Sequence, residues 1–233
     1  STSLRSPHYS FNSWSCSVIL HKMFTHEGAE LGASGVVVSG DDGDRVDCAK
    51  LGKGGYSVPS IVEPEYLEIR RCTADFVLLV EKGTQWNRLS EDKFWRRYNC
   101  ILLTGNGQPP RGVRRLACRL HEEHRLPVYV LVDNDPWGYY IYSVVKQGSI
   151  NLAFESERMA IPKAKFVGLS SADPENYELP RNVGIKLNDK DIARAKELLN
   201  YQWFKKPAWQ AEIKRMLASG LKYELDALAN KDF

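Results

Sequence analysis

The sequence predicts an α/β fold in which a parallel sheet is covered by helices on both faces. Short, almost continuously apolar segments such as FVLLVE (76–81) and VYVLVD (128–133) are typical of strands buried on both sides. They alternate with stretches whose apolar residues recur at helical spacing, such as RGVRRLACRLHEEH (111–124). Of the 233 residues, 43% are hydrophobic, so the chain can build a large core. Regular alternation of strands and helices indicates a parallel sheet.

Four regions are predicted along the chain. Residues 1–34 are polar and form an N-terminal segment, and residues 35–74 contain short apolar runs broken by Gly and Asp, which indicate a small β-rich region with tight turns. Residues 75–187 carry the alternating strands and helices of the core. Residues 188–233 are predicted to form a helical extension.

Each element of the core and the extension has a local signal. Strands are predicted at 76–81, 100–105, 128–133 and 164–169, and helices at 90–99, 111–124, 139–148, 188–201 and 207–220. Ser90 and Asn188 or Asp189 are the predicted N-caps. Gly148 and Gly220 are the predicted stops of their helices. The patterns therefore predict three helices within the core and two after it.

Composition excludes several classes of protein. Lys and Arg total 32 and Asp and Glu 29, and a net charge of +3 does not by itself indicate a nucleic-acid partner. The five cysteines show no C-x-x-C spacing, so we expect neither a disulfide framework nor a zinc site, and a reducing compartment is favoured. No apolar run approaches the roughly 20 residues of a membrane span, and no signal peptide is visible.

Three carboxylates follow predicted strands. Glu81 ends the strand 76–81, Asp133 ends the strand 128–133, and Asp135 lies two residues later. If these strands are neighbours, the carboxylates meet at the carboxyl edge of the sheet, where α/β proteins bind ligands. Carboxylates raise each other's pKa unless a cation is present, and Mg²⁺ prefers such oxygen ligands. A turn that begins at Asp135-Pro136 is the alternative explanation for the two aspartates, but it does not explain Glu81.

Several longer segments resemble one known family. They are VLLVEKGTQWNRL (77–89), ILLTGNGQPP (101–110), LVDNDPWGYYIYSVVKQGS (131–149), ERMAIPKAKFVGL (157–169) and YELDALA (223–229). They are similar to the family of archaeal DNA topoisomerase VI A subunits and meiotic double-strand-break proteins, whose metal-binding domain has the Toprim fold. The resemblance extends from about Gly35 to the C-terminus, and the run DPWGYYIY is more similar to the archaeal members.

The resemblance implies a Toprim-type, Rossmann-like sheet and a DNA-cleaving activity. Glu81, Asp133 and Asp135 are the implied Mg²⁺ ligands. A tyrosine attacks duplex DNA and remains on the 5′ end, and an ATP-binding B subunit drives strand passage in an A₂B₂ assembly that contains a homodimer of A subunits. The implied partners are double-stranded DNA and this B subunit, without a membrane. The implied location is the cytoplasm, at the nucleoid, or the nucleus for a meiotic-type protein.

The remaining site residues are also implied by resemblance. The family carries its nucleophile in an R-x-x-Y-Y motif on a winged-helix domain. RSPHYS offers Arg5 and Tyr9 for this motif, so Tyr9 is the candidate nucleophile. Residues 1–34 are then interpreted as a remnant or divergent form of the winged-helix side of the family. The alternative is an ordinary tyrosine in an N-terminal tail. Arg114, Arg111 and Lys82 are the candidate DNA-binding residues. An exposed helix arginine is the alternative for Arg114.

Two other functions remain open on the sequence alone. A meiotic-type protein would make double-strand breaks by the same chemistry without strand passage. A non-catalytic Toprim module would bind DNA or a partner protein, and the poor match around Tyr9 favours this alternative.

Overall fold

A four-stranded parallel sheet forms the centre of the computed structural model, which describes residues 36–40, 43–51, 55–148 and 158–228. The strands of this sheet are β4 (Phe76–Val80), β5 (Cys100–Thr104), β6 (Val128–Leu131) and β7 (Lys165–Phe166), in the order β5-β4-β6-β7. The segment 1–34, with Tyr9, lies outside the described residues. The predicted α/β fold class, with its parallel sheet, is confirmed.

Two smaller sheets flank the parallel one in sequence. Strands β1 (Val37–Gly40), β2 (Arg45–Asp47) and β3 (Leu67–Arg71) form an antiparallel sheet in the order β2-β1-β3. Strands β8 (Ile185–Lys186) and β9 (Leu221–Lys222) pair antiparallel near the C-terminus. The first of these sheets is the small β-rich region that the short apolar runs and tight turns predict.

Strand β4 shows why its sequence is apolar without interruption. Successive side chains of a strand point to opposite faces. Phe76, Leu78 and Val80 pack into one hydrophobic cluster, whereas Val77 and Leu79 pack into a second cluster. Because both faces of this central strand are covered, it contains no polar position.

Seven α-helices have both of their ends in the described part of the chain. They are α1 (Gly83–Glu91), α2 (Phe94–Arg97), α3 (Arg111–His124), α4 (Pro136–Gln147), α5 (Asp173–Asn176), α6 (Asp189–Leu198) and α7 (Pro207–Ser219). Short 3-10 helices occur at Cys48–Lys50, Arg181–Val183, Gln202–Lys205 and Leu225–Leu228. Within the described residues no helix is both long and apolar enough to cross a bilayer.

The predicted start of the helix at 90–99 is wrong. Helix α1 already begins at Gly83, and Ser90, the predicted N-cap, lies buried in its last turn. Lys93 adopts a left-handed conformation with φ of 53°, which separates α1 from α2. Glycine at the start of α1 lowers its helix propensity, so this helix depends on packing of Trp86 and Leu89 rather than on local signals.

The C-terminal helices follow their capping signals. Asn188 and Asp191 form a reciprocal capping box at the start of α6. Helix α7 has Pro207 in its first turn and ends at Gly220, whose φ is 65°. Trp209 of α7 makes ring contacts that attach the extension to the sheet and to α4, with Tyr139, Tyr142, Phe166 and Phe204.

The arginine-rich face of α3 is not the solvated helix surface that its composition suggests. Arg114 is 6% exposed and Arg119 is 2% exposed. Arg119 Nη1 donates to the carbonyl oxygens of Val62 and Leu67, each at 2.6 Å. This arginine therefore fastens the segment before β3 onto the core, because those two carbonyls are satisfied from α3.

Glu63 makes a second connection between the same segment and α3. Its carboxylate accepts from Arg111 Nη2 at 3.0 Å and from Arg115 Nε at 2.9 Å. Burial alone would raise the pKa of Glu63, but the hydrogen bonds from Arg115 and Arg111 outweigh it and lower the pKa below its usual 4.5. The carboxylate therefore stabilises the fold above that pH, and its contribution is lost as the pH falls through the folded-state pKa.

We expect Glu63→Gln to lower the free energy of unfolding by about 1–3 kcal/mol at neutral pH, since two arginine donors lose their anionic acceptor. The difference from the wild type should be smaller at about pH 3, because Glu63 loses its charge as the pH falls through its lowered folded-state pKa. Urea unfolding at the two pH values measures both the loss of stability and its dependence on pH. Glu68→Gln, which removes the exposed partner of Arg70, is the control and should change stability by less than about 0.5 kcal/mol. An equal loss at both pH values would contradict the prediction.

Candidate metal centre

The ends of two neighbouring strands bring Glu81 and Asp133 together. Val80 of β4 is in register with Leu131 of β6, and the Glu81 backbone N–H donates to the Leu131 carbonyl at 2.9 Å. The Glu81 side chain then accepts from the backbone N–H of Asp133 through Oε2 at 3.1 Å. Strand pairing therefore determines the position of the glutamate relative to the loop that carries both aspartates.

Asp135 is the N-cap of α4. Its Oδ1 accepts from the Gly138 backbone N–H at 2.6 Å, and Pro136 occupies the first turn, so the helix begins three residues earlier than the predicted 139–148. Capping thus explains the local role of Asp135, as the alternative interpretation of the sequence expects. The cap also holds this carboxylate close enough to Glu81 for its charge to raise the pKa of Glu81.

The three carboxyl groups have raised pKa values. Burial, followed by the charges of Asp135 and Asp133, raises the pKa of Glu81 to about 8. Burial raises the pKa of Asp133 to about 6 in spite of its hydrogen bond from Leu225, and burial also raises the pKa of Asp135. Ionising all three groups together is therefore unfavourable without a nearby cation. An all-oxygen donor set of this charge suits a hard divalent cation such as Mg²⁺.

The carboxylates are at present held by backbone donors. Glu81 accepts from Asp133, Asp133 accepts from Leu225 at 2.7 Å, and Asp135 accepts from Gly138. In the part of the chain that the structure describes, no three His, Cys, Asp or Glu side chains already converge on one ion position. A bound cation would have to compete with these N–H groups for the carboxylate oxygens.

Gly138 has a steric role in this centre. A Cβ atom at this position would lie 2.7 Å from the Asp133 carbonyl oxygen and 3.2 Å from Oε2 of Glu81. Side-chain atoms essentially never come as close to a carbonyl as the first of these distances. The absence of a side chain at residue 138 therefore lets the first turn of α4 pack against the two strand ends.

A buried polar network fixes the loop between the two aspartates. Asn134 is fully buried, and its Nδ2 donates to the Tyr139 hydroxyl at 2.6 Å. Tyr139 in turn donates to Oε1 of Glu212 at 2.7 Å, and the same oxygen accepts from the Ser171 backbone N–H at 2.6 Å. The loop position is thus tied to α7. The sequence gives no signal for Glu212, because an acidic residue in an amphipathic helix normally faces solvent.

The segment after β9 also docks on the site. The backbone of Tyr223 pairs with Asn134 through two hydrogen bonds of 2.8 and 3.0 Å, and the Leu225 N–H donates to Asp133. This places Glu224 and Asp226 beside the centre, where each accepts from Lys82 Nζ at 2.7 Å. Apolar strands do not precede these two acids, although their i, i+2 spacing is the same as that of Asp133 and Asp135.

The candidate DNA-binding residues have protein partners in this structure. Burial lowers the pKa of Lys82, but its hydrogen bonds to Asp226 and Glu224 outweigh burial and raise it, so the side chain is a permanent cation. Arg111 binds Glu63, and the buried Arg114 is not the exposed helix arginine of the alternative interpretation. A DNA contact by these three residues stays a prediction.

The chain matches two known domain families, and the boundary between the two matches lies between the small β-rich region and the parallel sheet. Residues 76–233 match the Toprim domain of the family that unites the A subunit of topoisomerase 6 with Spo11. Residues 30–73 match the all-beta domain of the DNA topoisomerase VI alpha subunit.

Individual relatives agree with these matches. The chain is 47% identical over 199 residues to the A subunit of type 2 DNA topoisomerase 6 from Aeropyrum pernix, covering 81% of this chain and 51% of the relative. For the protein of the same name from Pyrococcus horikoshii the identity is 44% over 207 residues, covering 84% and 53%. The A subunit of DNA topoisomerase 6 from Arabidopsis thaliana is 34% identical over 200 residues, covering 85% and 46%. The chain spans about half the length of the relatives it matches.

Proposed function

Since the chain belongs to the family of topoisomerase 6 A subunits and Spo11, we propose that it acts in the DNA-cleaving subunit of a type II DNA topoisomerase. The observation that carries the proposal is that strand pairing puts Glu81 beside the loop that carries Asp133 and Asp135, at the carboxyl edge of the parallel sheet. Toprim domains generally bind a divalent metal. These three carboxylates supply the anionic oxygen donors that such a metal requires.

We propose Mg²⁺ as the metal and Glu81, Asp133 and Asp135 as the residues that hold it. When bound, Mg²⁺ would polarise a DNA phosphodiester and neutralise negative charge on its oxygens. The protein's own contribution is to keep the carboxylates fixed. Asn134, through Tyr139 and Glu212, holds the loop that carries both aspartates. Gly138 leaves room for Glu81 to approach that loop.

The proposed reaction is a transesterification by a tyrosine. The tyrosine oxygen forms a bond to phosphorus, the bond from phosphorus to the 3′ oxygen breaks, and the protein remains joined to the 5′ end. The tyrosine loses its proton, and the departing 3′ oxygen takes one up. Tyr9 is the proposed nucleophile, and its support is the arginine and tyrosine that RSPHYS shares with the family motif. Two copies of the chain acting on opposite strands would produce a double-strand break.

The proposed partners follow from the names of the relatives. A protein named as the A subunit of a type 2 topoisomerase works with another subunit, and we propose an ATP-binding B subunit in an A₂B₂ assembly around a homodimer of A subunits. DNA is expected to be held mainly through its phosphates, with Lys82, Arg111 and Arg114 as candidates. Affinity should therefore fall steeply with salt concentration.

A meiotic-type break-making function is the second candidate. The relatives reported above are named as topoisomerase 6 subunits, which favours strand passage over break formation alone. Relaxation of supercoiled DNA in the presence of ATP and an archaeal B subunit distinguishes the two, because only a topoisomerase reseals the DNA into relaxed circles after strand passage, whereas a break-making protein yields linear DNA.

Covalent trapping tests the proposed chemistry. The chain is incubated with duplex DNA, Mg²⁺, ATP and an archaeal B subunit, and the mixture is then denatured. We expect protein attached to 5′ ends, and loss of at least 99% of the adduct, or about 100-fold, in Tyr9→Phe, since this change removes the nucleophilic oxygen.

Tyr177→Phe, a change of the same kind in the turn that ends α5, is the matched control and should keep the adduct. An undiminished adduct with Tyr9→Phe would reject Tyr9 as the nucleophile. Absence of any adduct with the wild type would favour a non-catalytic module.

A further inference from the structure

Lys82 places a positive charge beside the proposed metal ligands. Its ammonium nitrogen lies 3.7 Å from Oδ2 of Asp133, and 2.7 Å from both Oε2 of Glu224 and Oδ2 of Asp226. The side chain is 30% exposed. Among its three carboxylate neighbours, only Asp133 belongs to the proposed metal centre.

The position of this ammonium group is fixed from several directions. Lys82 directly follows Glu81 and precedes α1, and its carbonyl accepts from the Trp86 N–H at 3.0 Å. Gln85 Nε2 donates to Oδ1 of Asp226 at 2.6 Å, which orients that carboxylate towards Lys82. The backbone pairing of Tyr223 with Asn134 holds the whole acidic segment in place. The charge is therefore held by the fold, unlike that of an exposed lysine.

We propose that Lys82 is a built-in counter-ion of the metal centre, which neutralises Asp133 in the metal-free protein and opposes the entry of a divalent cation. The inference rests on the proposed function in one respect, that Asp133 is a metal ligand. Lys82 would act as a positioning and charge-setting residue, and it need not touch the metal or the DNA.

The geometry explains why Lys82 should still oppose cation binding when a metal ion is in the site. Glu224 and Asp226 are at hydrogen-bond distance from the ammonium, whereas Asp133 is about one ångström farther away. Asp133 can therefore exchange its weaker contact for a metal ion while the two acids retain the lysine. The ammonium would then stay beside the aspartate that holds the ion, and its positive charge would lower metal affinity.

A purely structural role is the competing explanation, in which Lys82 only fastens the segment Tyr223–Asp226 to the start of α1. Both explanations predict that removing the lysine lowers stability in the absence of metal. They differ in metal affinity, because only a counter-ion holds that affinity down. Metal binding to the whole chain is therefore the decisive measurement, and it requires neither DNA nor cleavage activity.

The experiment compares Mg²⁺ affinity of the wild type, Lys82→Met and Lys82→Arg by isothermal titration calorimetry. Titrations are made at about pH 9, so that protons do not compete for the carboxylates. We expect Lys82→Met to bind Mg²⁺ about tenfold more tightly, since one nearby positive charge is lost. Lys82→Arg, which keeps the charge, should stay within about twofold of the wild type.

Lys50→Met is the charge-matched control. Lys50 is 82% exposed, pairs only loosely with Asp47 at 3.6 Å and belongs to the small β-rich region. This variant should bind Mg²⁺ like the wild type. Unchanged or weaker Mg²⁺ binding by Lys82→Met would overturn the inference. A wild type that binds no Mg²⁺ would instead contradict the proposed metal centre itself, so the two failures are distinguishable.

Thermal unfolding gives a second readout. In the presence of EDTA we expect the Tm of Lys82→Met to be lower than that of the wild type. Adding Mg²⁺ should raise the Tm of Lys82→Met by more than it raises the Tm of the wild type, because a ligand bound only by the folded state stabilises that state more when it binds more tightly. Equal gains would overturn the inference. If Lys82→Met does not fold, Lys82→Gln, whose neutral amide keeps two N–H donors, serves in both measurements with the same expected directions.

Discussion

Asp133→Asn should reduce DNA cleavage by about three orders of magnitude and Mg²⁺ affinity by at least about 100-fold. The substitution keeps an oxygen that can accept from the Leu225 N–H, so the docked C-terminal segment should stay in place. It removes one of three anionic donors, and with it the charge that a divalent cation needs. A metal that supplies several kcal/mol of transition-state stabilisation accounts for a loss of this size.

The measurement has two parts. Calorimetry reports Mg²⁺ binding by the chain, and covalent trapping with DNA and an archaeal B subunit reports cleavage. Asp173→Asn is the matched control, because Asp173 is also buried and also accepts a backbone N–H, from Ser170 at 2.7 Å, but lies outside the proposed ligand set. Cleavage at the wild-type rate by Asp133→Asn would reject the proposed metal centre. The same loss with Asp173→Asn would point to general destabilisation.

Gly138→Ala should weaken Mg²⁺ binding by about 10- to 100-fold although the changed residue offers no ligand. The new Cβ would lie 2.7 Å from the Asp133 carbonyl oxygen and 3.2 Å from Glu81 Oε2, so α4 or the strand ends must move apart. Alanine favours helix over glycine by about 1 kcal/mol. Overpacking costs about 1–3 kcal/mol, so we expect a net loss of stability as well.

Gly43→Ala separates the steric effect from the loss of a glycine. A Cβ atom at residue 43 would meet nothing within 4 Å, although its φ of 81° disfavours alanine. This control should cost about 1–2 kcal/mol in stability and leave Mg²⁺ affinity unchanged. If Gly138→Ala proved as stable as the wild type and bound Mg²⁺ equally well, the close approach between α4 and the two strand ends would not matter for the site.

Much of the fold can be predicted because its signals are local. The uninterrupted apolar run predicts the strand at 76–80 to within one residue, and helical spacing predicts α3 to the residue. The capping box at Asn188 and the stop at Gly220 follow from residue types with strong conformational preferences. The start of α1 escapes prediction because Gly83 and Thr84 carry no such preference, and its packing residues become recognisable only in the folded chain.

The residues of the candidate site likewise divide into those that the sequence predicts and those that it does not. Glu81, Asp133 and Asp135 can be selected from sequence because they follow apolar strands, where a charge needs a partner. Three further acids cannot be selected from the sequence, because the residues around them do not differ from those around ordinary surface acids. Long stretches of chain separate them from the site, and only the docking of α7 and β9 against the sheet brings them to it; they are Glu212, Glu224 and Asp226.

The sequence by itself thus determined the fold class, the family and the three carboxylates at the strand ends, since these depend on apolar periodicity and on short motifs. Tertiary structure alone decided that β4 and β6 are neighbours, that the arginines of α3 face the protein, and that Lys82 lies between Asp133 and two distant acids. The reason is physical. Strand and helix preferences arise within a few residues, whereas the partner of a charged side chain is set by the packing of segments far apart in the chain.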